Sequence, residues 1–371
     1  MTKYFRRPAG VKDYLPPQVR KKRRIEKIIG DILEKWGYEE IIAPSFEYLE
    51  TFVMSGQPGF AEKVFKFFDR QGGVMALRPD ITTSIARMVA THYSDHDTPL
   101  RLCYMANVFR FQELRKGRDQ EFYQTGAELI GIPGIEADIE IILLASRILK
   151  EIGISNFIIN VGHIKFLEGL LDEIEDASSL KDKIAQAIKD KNFVWLKSLI
   201  ETNTLEPDIK KIFLALPRFY GGPEILDELI KFPLNDKCRE AISELAKLWK
   251  MLKGFNNIHL TFDPGLARGL DYYTGIVFEI YSPQAGFPLG GGGRYDTLLD
   301  KFNGSRPATG FALTEEVILS VLDRDMKDMY EPHYLYYAPT KYIEAFYKAE
   351  EMRKQGYTVK MVPSTESRTK L

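Results

Sequence analysis

The sequence is poor in cysteine, and its two cysteines are far apart. Cys103 and Cys238 form no CxxC pair, and neither lies near a pair of histidines. Disulfide frameworks and zinc sites require several closely spaced cysteine or histidine residues, so neither kind of site is indicated. A reducing compartment is therefore expected.

Long apolar runs and a net charge are also missing. No apolar stretch approaches the roughly 20 residues of a bilayer-spanning helix, and residues 1–10 lack the apolar segment of a secretory signal. Lys and Arg total 51 against 52 Asp and Glu, which leaves no overall basic field to attract nucleic acid. We expect a soluble cytoplasmic protein. The basic run RKKRR, at 20–24, is interpreted as the solvated face of the first helix.

What is present is an alternation of helical and strand patterns typical of an α+β chain. Isoleucine and leucine at helical spacing predict a first helix that ends near Gly37. LRLCYMANVFRFQE and QEFYQTGAELIGI predict neighbouring antiparallel strands. Residues from about 164 to 255 predict a helical insertion between two halves of one sheet domain, which spans 1–325. Residues 326–371 predict a short strand–helix–strand segment.

Two segments carry polar residues in apolar surroundings. In ALRPDITTSIA, Asp80 and Thr82 stand at a predicted helix start, where both residue types also serve as ordinary caps. Along the strands of 107–131, Arg110, Gln124 and Glu128 interrupt apolar runs. An unpaired buried charge is costly, so these residues indicate either a structural ion pair or a shared binding cleft.

A third segment, GLARGLDYYTGIVFEIY, places Arg268, Asp271, Tyr272 and Tyr273 just before a buried strand. It is either a polar turn closed by an Arg–Asp pair or part of a ligand site. Together the three segments supply what a zwitterionic amino acid needs: acceptors for an ammonium, a guanidinium for a carboxylate, and an acid with a phenol for a polar ring. Spacing alone does not show that they converge.

Several motifs in order resemble the catalytic domain of histidyl-tRNA synthetase, a class II aminoacyl-tRNA synthetase. GYEEIIAPSFE resembles motif 1, the dimer element, and FRFQELRKGRDQEFYQTGAELIG resembles motif 2. RGLDYYTGIVFE and GGGGRYDTLL resemble the two histidine-binding motifs. The resemblance implies an antiparallel sheet flanked by helices and a homodimer. It also implies that 326–371 corresponds to the start of an anticodon-binding domain.

The resemblance implies the following contacts. The histidine ammonium would meet Asp80, Thr82 and Gln124, its carboxylate Arg268, and its imidazole Glu128 and Tyr273. Arg110 would lie where the synthetase meets the ATP α-phosphate. The candidate histidine-binding residues are accordingly Asp80, Thr82, Arg110, Gln124, Glu128, Arg268, Tyr272 and Tyr273, with no catalytic residue, metal or cofactor expected.

The sequence departs from the synthetase at the positions that handle ATP. The motif 3 helix of the synthetase carries an arginine in a Gly-Leu-Glu-Arg-like sequence, whereas this chain reads Thr314, Glu315, Glu316, Val317. Motif 2 has Gln112 in place of a glutamate, and LRPD replaces the usual LRPE. Loss of a positioned guanidinium would cost orders of magnitude in adenylation rate.

A paralogous family shares these departures, namely the regulatory subunits of ATP phosphoribosyltransferase. PAGVKDYLP and LPRFYGGPEIL, the latter at 216–226, also resemble that family. The resemblance implies a non-catalytic chain that binds no tRNA, pairs with a short catalytic subunit in a hetero-oligomer and senses histidine as feedback effector.

One alternative remains an active or divergent synthetase, or a histidine-adenylating enzyme that does not use tRNA. Such an enzyme would need a replacement cation, for which Arg294 and Arg306 are the candidates. Another alternative is a dimeric scaffold that binds no ligand. Histidine could also act at a subunit interface rather than in this pocket.

Overall fold

The computed structural model describes residues 6–55, 64–94, 99–111, 119–174, 178–255, 258–266, 272–322 and 330–364. The chain divides into two compact units, Met1–Arg324 and Asp325–Leu371. Each unit is described by itself.

The first unit combines helices with a large sheet. Its helices are α1 Pro16–Lys35, α2 Leu49–Val53, α3 Thr82–His92, α4 Ile135–Glu151, α5 Ile164–Asp172, α6 Ser178–Lys189, α7 Phe193–Thr202, α8 Pro207–Ala215, α9 Glu224–Leu229, α10 Asp236–Leu252 and α11 Glu315–Leu322. Its strands are β1 Glu39–Glu40, β2 Phe46–Tyr48, β3 Lys66–Phe68, β4 Val74–Leu77, β5 Leu100–Phe109, β6 Glu121–Ile130, β7 Ile158–His163, β8 Leu260–Phe262, β9 Ile276–Tyr281, β10 Gly290–Arg294 and β11 Ala308–Thr314.

Within the described residues the main sheet has eight strands in the order β1-β5-β6-β11-β10-β9-β7-β8. The six strands from β5 to β7 pair antiparallel, while β1 and β8 are added in parallel at the two edges. The predicted class II synthetase-like fold is confirmed, and the sheet is mixed rather than wholly antiparallel. The edge strand β1 is limited to Glu39–Glu40.

The glycine-rich run at 290–293 forms strand β10 in the middle of the sheet. Gly290 to Gly293 pair with β9 on one side and β11 on the other. A Cβ on Gly292 would lie 1.9 Å from the carbonyl oxygen of Gly310 on β11. The backbones therefore approach too closely for a side chain at Gly292.

A small sheet, β2-β4-β3, precedes α3, and strands β3 and β4 form a hairpin that turns at Gly72. Arg78, which follows β4, is buried and donates to the carbonyl oxygens of Ala43 and Asn107 at 2.6 and 2.8 Å. It also donates to Asn107 Oδ1 at 2.9 Å. This guanidinium joins the segment before β2 to strand β5 and fixes where α3 begins.

Helices α5 to α10 occupy the connection between the parallel strands β7 and β8. Buried side chains of α10, such as Leu245 and Leu248, provide the apolar face, and α5 packs against it. At the far edge of the sheet, Gly221 exchanges two backbone hydrogen bonds with Phe262 of β8. The helical segment is thus joined directly to the sheet edge.

The second unit contains β12 His333–Tyr337, α12 Tyr342–Lys354 and β13 Val359–Pro363, the strand–helix–strand order that the sequence predicts. The two strands pair in parallel. Across the described ranges of both units, no helix has the length and apolar character required to span a membrane.

Candidate histidine-binding pocket

Several of the candidate residues lie together on one face of the sheet, at the start of α3. Side chains alternate along a strand, so Gln124 and Glu128 of β6 share a face with Gly126 between them. Both side chains are buried. The first turn of α3 brings Thr82 against Glu128, and Tyr295 approaches from the end of β10.

Glu128 is held by two hydroxyl groups. Thr82 Oγ1 donates to Glu128 Oε1 at 2.7 Å, and the Tyr295 hydroxyl donates to Oε2 at 2.5 Å. Burial raises the pKa of Glu128 to about 8. The two hydrogen bonds lower this pKa and so offset part of the effect of burial, whereas the nearby Asp80 carboxylate raises it further. The carboxyl group is therefore fixed in position and poised to exchange a proton near neutral pH.

Asp80 has one oxygen engaged and one without a partner. Asp80 Oδ1 accepts the backbone N–H of Thr83 at 2.8 Å, which caps α3 as an ordinary Asp would. Asp80 Oδ2 is buried and makes no hydrogen bond of normal geometry within the described residues, although the Thr83 hydroxyl lies close enough to lower the pKa of Asp80. Burial raises the pKa of Asp80. Such an orphaned acceptor is costly, which favours a ligand that donates a hydrogen bond here.

Tyrosines form the apolar wall of the pocket. The ring centroids of Tyr272 and Tyr273 are 5.0 Å apart, and those of Tyr272 and Tyr295 are 5.7 Å apart. Burial raises the pKa of Tyr272 and Tyr295 well above the usual value. Both hydroxyls therefore stay protonated, and the Tyr295 hydroxyl uses its hydrogen in the bond to Glu128.

One candidate residue, Arg110, lies beside this cluster, and another, Arg268, is outside the described residues. Arg110 Nε donates to the carbonyl oxygen of Pro79 at 2.7 Å, and its guanidinium carbon lies 5.4 Å from the centre of the Phe122 ring. Its charge lowers the pKa of Asp80, against the larger effect of burial. Arg268 and Asp271 fall within 267–271, which is outside the described residues. Gln112 is also outside the described residues.

Tyr295 is a pocket residue that the sequence did not single out. It follows Arg294 in the GGGGRYDTLL motif, so the motif contained the signal, but a tyrosine after a glycine-rich strand has no distinctive spacing. Gly310 of β11 was missed as well. It lies opposite Glu128 in the pairing of β6 and β11, and a Cβ there would lie 1.7 Å from Glu128 Oε2.

The first turn of α11 begins with two glutamates, and Val317 stands where the synthetase motif has its arginine. Glu315 is fully buried, accepts a hydrogen bond from Thr125 Oγ1 at 2.6 Å and pairs with Lys22 Nζ at 2.7 Å. Glu316 Oε1 accepts from the Tyr14 hydroxyl at 2.6 Å and from the Tyr123 backbone N–H at 2.9 Å. This end of the helix is therefore closed by contacts within the chain.

Lys22 corrects the interpretation of the basic run 20–24. Arg23 and Arg24 are exposed as expected, but Lys22 is only 5% exposed and pairs with both Glu26 and Glu315. Burial opposes the charge of Lys22, but the two carboxylates outweigh it and raise its pKa. Lys22 is thus a buried structural cation of α1 that holds α11.

The cations proposed as replacements for the missing arginine already have protein partners. Arg294 is buried, pairs with Asp138 at 3.0 Å and Asp296 at 3.1 Å, and donates to the carbonyl oxygen of Gly134. Arg306 donates to the carbonyl oxygen of Ser94 at 3.3 Å. Arg294 in particular fixes β10 to the first turn of α4.

The raised pKa of Glu128 predicts a measurable pH dependence of stability. A carboxyl group whose pKa rises from 4.5 to about 8 on folding binds its proton more tightly in the folded state. The contribution of Glu128 to the free energy of unfolding is therefore present in full below pH 4.5. This contribution, on the order of a few kcal/mol, is lost as the pH rises to 8. Urea unfolding of the wild type and of Glu128→Gln across this range should show a flatter profile for the variant. Parallel profiles would contradict the prediction.

Comparison with known proteins identifies the family of this chain. Residues 10–318 match the family model described as histidyl-tRNA synthetase. A protein of Desulforamulus reducens named ATP phosphoribosyltransferase regulatory subunit is 39% identical over 324 residues, covering 87% of this chain and 80% of its own length. One of the same name from Moorella thermoacetica is 37% identical, covering 97% of this chain and 93% of its own.

Solved structures of related proteins have the same fold as this chain. An ATP phosphoribosyltransferase regulatory subunit/histidyl-tRNA synthetase from Bacillus halodurans superposes with a TM-score of 0.87 at 32% identity, covering all of this chain and 95% of its own. The histidyl-tRNA synthetase of Nostoc sp. PCC 7120 shares the fold, with a TM-score of 0.77 at 21% identity over 98% of this chain and 87% of its own. Since the regulatory-subunit relatives match nearly the whole chain at 35% identity or more, the chain belongs to the ATP phosphoribosyltransferase regulatory subunit family, whose members have a histidyl-tRNA synthetase-like fold.

Proposed function

We propose that this chain is a non-catalytic regulatory subunit of ATP phosphoribosyltransferase that activates a short catalytic subunit and senses histidine. The proposal depends on two features observed together, a retained amino-acid pocket and the loss of the motif 3 arginine. The amino-acid pocket keeps two buried carboxyl groups, Asp80 and Glu128, while the first turn of α11 has Val317 in place of the synthetase arginine. A site that binds histidine without activating it is suited to sensing.

The chemistry of adenylation supports the absence of catalysis. Attack on the ATP α-phosphate builds negative charge on the pyrophosphate leaving group, and positioned cations stabilise that charge. In this chain Glu315 and Glu316 stand at the corresponding turn, and the nearby Lys22 is neutralised by Glu26 and Glu315. The arrangement would repel a polyphosphate rather than hold it.

The pocket suits histidine group by group. Asp80, Thr82 and Gln124 would accept from the ammonium, and the unpartnered Asp80 Oδ2 supports this assignment. Glu128 and Tyr273 would meet the imidazole, Arg268 the carboxylate, and Tyr272 would close the pocket from the side. No cofactor is required.

Feedback requires that histidine bind one quaternary state better than the other, because equal affinity would shift no equilibrium. The proposed assembly is a cytoplasmic hetero-oligomer in which a homodimer of this chain meets the catalytic subunit. It does not involve tRNA. Histidine biosynthesis is the process that the family name indicates.

Two assays on purified full-length protein test the proposal. We expect no histidine-dependent ATP–pyrophosphate exchange by the chain alone, and we expect the chain to stimulate a short catalytic subunit in a manner that histidine reverses. Clear exchange would favour the alternative function, a histidine-activating enzyme. Absence of both exchange and stimulation would contradict the regulatory role itself.

A further inference from the structure

A cavity lies where the helical segment returns to the sheet edge, and none of the candidate histidine-binding residues lines it. Its volume is about 180 Å³. Its walls come from the junction of α6 and α7, from the turn after α8, and from the turn that follows β8. The lining residues used below are Lys191, Phe193, Phe219, Tyr220 and Asp263.

The size and rim of this cavity favour a protein side chain over a free metabolite. Small-molecule sites usually occupy roughly 300–1,000 Å³, so a cavity of 180 Å³ is small for a nucleotide. Its surroundings are apolar and exposed, with Val194 84% and Tyr220 54% accessible. A single-residue pocket surrounded by exposed apolar groups is typical of an anchor site in a protein interface.

The polar groups of the cavity specify the charge of its occupant. Asp263 Oδ1 accepts the backbone N–H of Gly265 at 3.0 Å, whereas Oδ2 has only long contacts, with Asn160 Nδ2 at 3.4 Å and Lys191 Nζ at 3.5 Å. The Lys191 side chain is 52% exposed, and such solvated ion pairs contribute little. A cation that entered the cavity would displace the ammonium and give Oδ2 a closer partner.

The aromatic walls favour arginine over lysine as that cation. Phe193, Phe219 and Tyr220 line the cavity together with Asp263. A guanidinium stacks on aromatic rings and loses its hydration more readily than an ammonium. Arginine also pairs with a carboxylate through two parallel hydrogen bonds. The apolar remainder of the cavity would cover the methylene groups of the arginine.

We infer that this cavity receives an arginine side chain of the catalytic subunit and is an anchor of the hetero-oligomer. The inference rests on the proposed function for the identity of the partner. It follows from the geometry that removing the charge of Asp263 weakens assembly, whereas removing the competing charge of Lys191 strengthens it.

Two variants test this inference, because we expect them to change the affinity for the catalytic subunit in opposite directions. One is isosteric with the residue that it replaces, and the other suits the backbone conformation of its position. Asp263→Asn keeps the Oδ1 acceptor for Gly265, so the turn should fold. Lys191 has φ +51°, a left-handed conformation that asparagine tolerates well, so Lys191→Asn should also fold. Asp208→Asn and Lys197→Asn, at exposed positions on α8 and α7, are controls with the same changes of charge.

The measurement is the dissociation constant of the complex between full-length chain and catalytic subunit, by sedimentation or calorimetry. We expect Asp263→Asn to weaken assembly by at least about ten-fold and Lys191→Asn to tighten it by about three-fold, with both controls unchanged. Unchanged affinity in both cavity variants, or effects of reversed sign, would overturn the inference. An effect confined to self-association would assign the cavity to a second copy of this chain and would also overturn it.

The outcome separates this inference from the proposed function. If the wild type forms no complex with the catalytic subunit, the proposed function fails and the inferred partner fails with it. If the wild type assembles and all variants match it, the regulatory role stands and only the anchor is wrong.

Discussion

The Glu128→Ala variant is expected to lose most of the histidine response while retaining assembly with the catalytic subunit. Glu128 is buried and accepts hydrogen bonds from Thr82 and Tyr295, which leaves it rigidly aimed at the pocket. Because its pKa is raised to about 8, Glu128 would become charged by passing its proton to a bound imidazole, and loss of a hydrogen bond to a charged group costs roughly 1.5–3 kcal/mol. The concentration of histidine for half-maximal inhibition should therefore rise by about 10- to 150-fold.

The assay is inhibition of the reconstituted complex, with histidine binding to the isolated chain measured by calorimetry. Arg268→Ala should behave in the same way if the carboxylate contact is as proposed. Glu140→Gln is a matched control, because Glu140 lies on α4 and its partners are Arg101 and Tyr38. Normal inhibition in both pocket variants would show that histidine acts elsewhere, for which a subunit interface is the next hypothesis to test.

Gly310→Ala is expected to destabilise the first unit by at least about 3 kcal/mol, at the upper end of overpacking effects. The added Cβ would lie 1.7 Å from Glu128 Oε2 and 2.7 Å from the carbonyl oxygen of Ala127. Glu128 has no room to move, since both of its oxygens are engaged. Protein that still folds should have lost the histidine response, because the carboxyl group must be displaced.

Urea unfolding of a double-mutant cycle tests the cause of that destabilisation. Glu128→Ala removes the colliding carboxyl, so the Gly310→Ala penalty should be smaller in the Glu128→Ala background than in the wild type. Gly286→Ala is the control, because a Cβ at Gly286 meets nothing within 4 Å, and its effect should stay within about 0.5 kcal/mol. An equal penalty in both backgrounds would place the strain in the backbone instead.

The sequence carried enough local signal to predict the architecture. Period-two apolar strands, the α3 start at Thr82 and the charged helices between β7 and β8 all depend on residues close together in the chain. The parallel edges of the sheet were not predictable in this way. Glu39–Glu40 has almost no strand pattern, and its pairing with β5 depends on residues some 60 positions later.

Within the pocket, the sequence indicated residue types but not their partners. Asp80 had two interpretations, a cap or a ligand group, and its two oxygens divide between them: Oδ1 caps α3 and Oδ2 has no partner in the described part of the chain. Lys22 was misassigned because a basic run favours solvent. Its burial depends on Glu315, almost 300 residues away, and no local pattern contains that information.

The pairing of β7 with β8 has a kinetic consequence. Leu260 pairs with Ile159 in the parallel register of these two strands. About a hundred residues therefore form a loop that must close before β8 can join the sheet beside β7. Closing so long a loop of unfolded chain is slow, whereas helices α5 to α10 would draw its two ends together as they fold. Completion of the sheet should therefore lag behind collapse of the helical segment, and β8, with the Asp263 turn that follows it, should be among the last elements to become protected from hydrogen exchange during refolding.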